Sequence, residues 1–283
     1  MFTLKIENMN GNIFELTHNS PNYYITSVQG LTPPPTAVNT SVAGLIDGTF
    51  FNSARVEQRN LVITVVINGD IEANRQRLYT LFPRKTPCTV YFKNAYRDVK
   101  IVGYVEALEG DLFSVREQVQ ISIICPRPYF EALSTLYNEL STTLSLFEFP
   151  FSISEPVPFS NQLDTPIGTV DNTGDVACGT IITVDFYGSA TGLKIFNTTT
   201  QTFFGLDYTF QANDRVVINT NSGHLGVVLY RSGSATNLLN YVIQNSTWLR
   251  IAPGENNFTF TLTSGSTENV TIHFTTALLY GGV

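Results

Sequence analysis

From Ile181 onward the chain holds to one pattern: short runs such as "IITVDFYG", "QTFFGLDYTF", "LGVVLYRSG" and "VTIHFTTALLY", separated by turns such as "NTNSG", "APGENN" and "TSGST". Runs of period two bury one face each, while Gly, Asn, Asp and Ser supply the backbone conformations that reverse the chain. About nine such strands within the last 140 or so residues, from 146 on, predict a jelly-roll or other antiparallel β-sandwich, with no long helix. The low share of charged residues, 14%, and the 12% of aromatics suit strands and turns better than solvated helices.

The first half is also mostly β. "FTLKIE" and "NIFEL" read as a hairpin through Asn10-Gly11, and "NYYITSVQGL" continues as a strand. "TPPPTAVNTSVAGLIDGTFFNSA" then loses its periodicity, and three consecutive prolines exclude helix and central strand, so an ordered surface loop or arm is expected. "RNLVITVVING" is apolar at nearly every position and predicts a strand buried on both faces. "DIEANRQRLYTLFP" switches to helical spacing, with Asp70 as cap, Ile71, Leu78, Leu81 and Phe82 on one face, and Pro83 as stop. "TVYFKN", "RDVKIVGYVEALEG" and "FSVREQVQISIIC" return to alternation, after which Leu133, Leu136 and Leu140 show a loose helical spacing.

Charge divides the chain near the same place. Residues 1–131 hold 12 Lys+Arg against 12 Asp+Glu, and residues 132–283 hold 4 against 11, so the net charge of -7 belongs to the second part. Three segments follow: 1–131, a connector 132–145, and a sandwich 146–283. An acidic second half argues against nucleic acid as a partner. The basic cluster Arg75, Arg77, Arg84 and Lys85 reads as the solvated side of a helix or a polar subunit contact. No apolar run approaches the length of a membrane span, and the first residues show no secretory leader pattern.

Catalytic chemistry finds little to build on. Cys88, Cys125 and Cys178 are widely spaced and form no metal or disulfide pattern, which fits a reducing compartment. Cys125 falls in phase with Val115, Glu117, Val119, Ile121 and Ile123, so it reads as a small buried hydrophobe with a raised pKa, ended by Pro126 and Pro128. His18, His224 and His273 have no second metal-type ligand at a useful spacing. Asp171, Asp175 and Asp185 could pair as carboxylates, but read more simply as turn formers. Asn-x-Ser/Thr triplets at Asn197 and Asn257 are expected by chance in so Asn- and Thr-rich a chain. No catalytic, cofactor-binding or metal-binding residue is assigned.

The order of "VQGLTPPP", "GLIDGTFFNSARVEQRNLVITVVINGDIEANRQRLYTLF", "RDVKIVGYVEALE" and "FSVREQVQISIICPRPYF", with "FEFPFSIS", "LRIAPGENNFTFT" and "TALLYGGV" later, resembles the distal tail proteins of long-tailed siphophages, components of the baseplate or tail-tip hub. The resemblance implies a mainly β fold: an N-terminal β-sandwich-like ring domain with one short helix, then a galectin-like or jelly-roll β-sandwich. It implies a structural virion protein, with no enzyme activity and no cofactor. Its hexameric ring at the tail tip joins the tail tube of major tail protein to the tail-associated hub protein, and it supports host attachment. In some relatives the second domain carries receptor-binding proteins, and assembly takes place in the host bacterial cytoplasm. Exposed strand edges and the Pro-rich arm Thr32–Asn39 are expected to reach neighbouring subunits.

A reading of another class is a carbohydrate-binding adhesion module for host cell-wall polysaccharide, with Trp248, the sole tryptophan, as its platform. Galectin sites combine His, Asn and Arg with a Trp followed by acidic and basic partners, whereas "NSTWLRI" lacks the acid and "SGHLGVV" lacks the Asn-Arg pair. A wall hydrolase has no recognisable nucleophile, base or metal set here.

Overall fold

The computed structural model describes residues 2–16, 20–42, 44, 47–111, 114, 116–140, 143–145, 160–162 and 167–283, with only the backbone described at 143–145, 160–162 and 167. The chain divides into two compact units, one of Met1–Ser134 with Leu279–Val283, the other of Thr135–Leu278. The last five residues thus return to the first unit, although charge and composition group them with the second.

In the first unit the elements run β1 (Thr3–Asn8), β2 (Ile13–Leu16), β3 (Tyr23–Gln29), β4 (Thr36–Ser41), β5 (Phe50–Val56), β6 (Arg59–Ile67), α1 (Ile71–Leu81), β7 (Pro87–Lys93), β8 (Asp98–Gly110), β9 (Gln118–Cys125) and the start of β10 (Phe130–Leu140). An antiparallel sheet has the order β2-β1-β7-β8-β9-β6-β3. β6 is buried only at alternate positions, Arg59, Leu61, Ile63, Val65 and Ile67, with Val62, Thr64 and Val66 half-buried on its other face. The apolar run therefore marks one covered face and one partly covered face, where burial on both was expected.

Helix α1 covers that core with Leu78 and Leu81, and Phe82 follows, edge-on to Phe14, which in turn meets Tyr23 edge-on at 4.9 Å. The Asp70 carboxylate accepts from Ala73 N–H at 3.1 Å, satisfying one of the orphan donors at the helix start. At the other end Asn8 Nδ2 donates to the Leu81 carbonyl at 3.1 Å. Ile71 is exposed, contrary to its predicted place on the apolar face. Asn74, one turn later, is buried instead, donating to Asn68 O at 2.8 Å. The segment after Pro128 is another difference: its leucine spacing suggests helix, but it forms strand β10, paired with β8 at Ala132–Val99. Three leucines do not outweigh sheet pairing along this run.

The second unit holds the rest of β10, then β11 (Thr143–Ser145), β12 (Ser160–Gln162), β13 (Ile167–Asn172), β14 (Ile181–Phe186), β15 (Ala190–Asn197), β16 (Thr202–Phe210), β17 (Arg215–Asn219), β18 (Gly226–Arg231), β19 (Ser234–Asn237), β20 (Gly254–Ser264) and β21 (Val270–Tyr280). One sheet has the order β19-β18-β17-β14-β21 and the other β13-β20-β15-β16. Their inner faces meet through rings, Phe186 stacked on Phe210 at 4.2 Å and Phe258 against Phe274 at 4.6 Å. Two antiparallel sheets sharing an aromatic core make a sandwich, and the mainly β fold with one helix is as the sequence predicts.

Candidate assembly surface

The segment with three prolines is more regular than a loop. After Pro35 the chain forms the antiparallel pair β4–β5, from Thr36↔Val56 to Ser41↔Phe50, with a bulge between Asn39 and Thr40. Side chains tie the two strands: Asn39 Nδ2 donates to Ser53 Oγ at 3.0 Å, and Ser41 Oγ to Asn52 Oδ1 at 3.2 Å. The pair forms a sheet by itself, and every residue of β5 is exposed. Phe51 is 67% exposed, Val42 77%, and Phe50, Val38 and Val56 are exposed as well. A two-stranded ribbon in water is marginal because it has no core to cover its rings. This hairpin is an apolar projection that lacks a partner within its own described unit.

The root of the hairpin is held by a buried cation. Arg59 is only 1% exposed. Its guanidinium donates to the carbonyls of Pro128 at 2.6 Å, Thr32 at 2.7 Å, Gly30 and Gly281, and lies 4.4 Å over the Phe130 ring. The five donors of an arginine suit several carbonyls at once. Removal from water disfavours the charge and lowers the Arg59 pKa, while backbone dipoles and the Phe130 π-face compensate. Gly30 is required here, with φ of 84° and Asn60 O at 2.1 Å from where a Cβ would stand. Val283 N–H donates to Leu31 O at 3.0 Å, and Arg97 donates to Gly282 O while lying 4.3 Å over Tyr280. "VQGL", the "RN" strand start, "PRPYF" and "LYGGV", far apart in sequence, therefore meet at one point.

Sequence reasoning did not single out Arg59, yet a signal existed. Arg59 has the same parity as Leu61, Ile63, Val65 and Ile67, all of them buried. A charged residue in phase with a core face calls for compensation.

Other candidates resolve differently. Arg75 is not solvated: it pairs with Glu117 at 2.9 Å and with Glu72, its side chain mostly covered. That pair also explains the one polar residue in phase with Val119, Ile121, Ile123 and Cys125, since Glu117 is buried against Arg75. Val115, the remaining member of that face, lies outside the described residues, as do His18 and "FEFPFSIS". Arg77, Arg84 and Lys85 are accessible. Cys125 is fully buried, and burial, with Cys88 nearby, pushes its thiol up to about 12. Burial likewise raises Cys88 and Cys178 to about 11, so all three are poor nucleophiles.

In the second unit His224 is exposed, and His273 stacks on Tyr137 at 5.3 Å. Asp171 lies on β13 and Asp185 on β14, in different sheets, with Asp175 in the turn after β13. Asp185 is engaged by Arg215 at 2.6 Å. Trp248 is half-buried, its ring 5.0 Å from buried Phe204. Asn197 is fully buried, with Oδ1 accepting from Thr199 and Thr200 N–H, which makes it a turn former. Among the described residues no group of three or more His, Cys, Asp or Glu could hold a metal. No described helix is long and apolar enough to cross a membrane.

Residues 173–277 match the family model for the siphovirus-type tail component, C-terminal domain. Over 98% of this chain and 99% of the other, the fold is similar to that of the Dit protein of phage SPP1, described as a paradigm of the hub adsorption apparatus in phages infecting Gram-positive bacteria, with a TM-score of 0.69 at 17% identity. A chain of the phage P2 baseplate in its activated conformation with Ca aligns more loosely, with a TM-score of 0.47 at 12% identity, 97% of this chain and 98% of that one. No curated protein matches. The resemblance to distal tail proteins read from the sequence is borne out.

Proposed function

We propose that the chain is a structural component of the virion tail tip, whose first unit closes a hexameric ring between the tail tube of major tail protein and the tail-associated hub protein. The carrying observation is the β4–β5 hairpin, an ordered apolar projection held at its root by Arg59 and covered by no described residue of its own unit. Such a projection suits a head-to-tail contact in which each copy places its arm on the next, and contacts of that kind close into rings when the rotation permits. The second unit is a sandwich available for receptor-binding proteins. Assembly occurs in the host bacterial cytoplasm, and the role requires no cofactor and no catalysis.

The test is native mass measurement and negative-stain imaging of the full chain beside the double variant Phe50→Asp, Phe51→Asp. The wild type is expected to form six-fold rings, alone or on its hub partner, and the variant to remain dispersed. An unchanged ring in the variant sinks the arm's role. Deleting residues 32–39 is a less clean test, because it also removes the Thr32 carbonyl from Arg59.

A further inference from the structure

One face of the second unit carries a row of groups whose chemistry the tail role does not use. β14, β17 and β18 are neighbours, and the registers Asp185↔Arg215 and Arg215↔Tyr230 put these three side chains in line across the strands. On the other side β21 presents His273, whose Nε2 is 3.8 Å from Asp185 Oδ2 and whose Nδ1 is 2.6 Å from the Tyr137 hydroxyl. Tyr187, just past β14, and Tyr230 are both largely exposed and border a cleft of about 370 Å³ with Asp185, Arg215, Asn213 and Ser232. That volume lies in the range of small-molecule sites.

Arg215 binds Asp185 through Nε at 2.6 Å and Nη2 at 3.3 Å, and its Nη1 has no partner among the described residues. Asp214, a buried member of the lining, is occupied by Arg231 at 2.5 and 2.8 Å. The cleft therefore contains one self-compensated cation–carboxylate pair, Asp185 with Arg215, while Asp214 is neutralised by Arg231 from outside the lining, and exposed tyrosine rings flank them. Paired Asp and Arg side chains offer acceptors and donors together, which suits vicinal hydroxyls. Tyrosine faces suit the apolar faces of sugar rings. A phosphate-bearing polymer would need net positive charge that the cleft does not offer.

We infer that the face formed by Tyr187, Asp185, Arg215 and Tyr230 binds an uncharged saccharide. The observation is separate from the arm of the first unit, so failure here leaves the tail role standing. Trp248, which the sequence suggested as the platform, is not among the cleft's residues.

The experiment presents the full chain to an array of neutral hexose and N-acetylhexosamine oligosaccharides, with glycerol-phosphate teichoic acid as the charged comparison. Titration of any hit then compares wild type with Tyr187→Ala, Arg215→Ala and Trp248→Ala. Tyr187 lies outside the strand ladder, so its variant keeps the fold, checked by an unchanged melting curve. The expected result is a neutral oligosaccharide bound at least tenfold more weakly by Tyr187→Ala and Arg215→Ala, and equally well by Trp248→Ala. Binding of no glycan, preference for teichoic acid, loss confined to Trp248→Ala, or shielding of Tyr187 and Tyr230 by a purified tail protein in place of sugar would each overturn it.

Discussion

Two antiparallel pairs in this protein, β4–β5 and β15–β16, have comparable hydrogen-bonded ladders and opposite surroundings. β15–β16 lies at the edge of a four-stranded sheet, where Ile195, Phe204, Leu206 and Phe210 are covered by the sandwich core. β4–β5 stands alone and shows Phe50 and Phe51 to solvent. Backbone pairing is thus not what distinguishes structural strands from the arm. The difference lies in where apolar area is removed from water, at roughly 25 cal/mol per Å²: within the unit for one pair, and in the proposed assembly for the other.

The comparison breaks most sharply at matched phenylalanines. Phe258→Ala, beneath the second sheet, is expected to destabilise the second unit by about 3–5 kcal/mol, read as a lowered Tm in calorimetry of the full chain. Next comes the root of the arm. Arg59→Met takes the guanidinium donor from the carbonyls of Gly30, Thr32 and Pro128. Each unsatisfied buried acceptor costs about 1–3 kcal/mol, so the first unit's transition is expected to fall by about 3 kcal/mol or more, with the second unit's unchanged. Equal loss in both transitions would show that Arg59 is not a local anchor.

A smaller effect is expected at Asp214. Burial alone would raise its carboxyl, but hydrogen bonds from Arg231 and Gln211 N–H outweigh this and hold it below the ordinary 3.8. A depressed folded pKa contributes stability that is present above the unfolded pKa and lost as pH falls through the folded one. Asp214→Asn is therefore expected to cost about 2 kcal/mol at neutral pH, with the gap to wild type closing below about pH 4 in urea melts. The smallest effect belongs to Phe51→Ala. Its ring is exposed, so unfolding of the dispersed chain should change by less than about 0.5 kcal/mol, while ring assembly weakens in sedimentation. A large loss of monomer stability would mean that the hairpin already packs at home.

Much of the architecture was legible in the sequence because it rests on local rules. Period-two runs and turn residues located the sandwich strands, and Asp70, Leu78, Leu81 and Pro83 marked α1. Phase placed Cys125 in the core. Where tertiary packing competes with local pattern, the reading failed: Leu133, Leu136 and Leu140 spaced as a helix became strand β10, and Ile71 gave its buried place to Asn74. The arm was recognised as an arm, but its strands were not, since β4 and β5 are polar on many positions and bury nothing that would impose alternation. A solvated helix side or a polar subunit contact is all that local spacing offers for Arg75, because its partner Glu117 lies 42 residues away.

The sequence by itself determined a mainly β chain, an acidic second half, a Pro-rich surface loop or arm and a core position for Cys125, all properties of neighbouring residues and their periodicity. Only the tertiary structure decided that Arg59 draws Gly30, Thr32, Pro128 and Gly281 together, and that Asp185, Arg215 and Tyr230 line up on one face. These depend on strand register and on carbonyl positions, where a shift of one residue would turn each side chain to the opposite face.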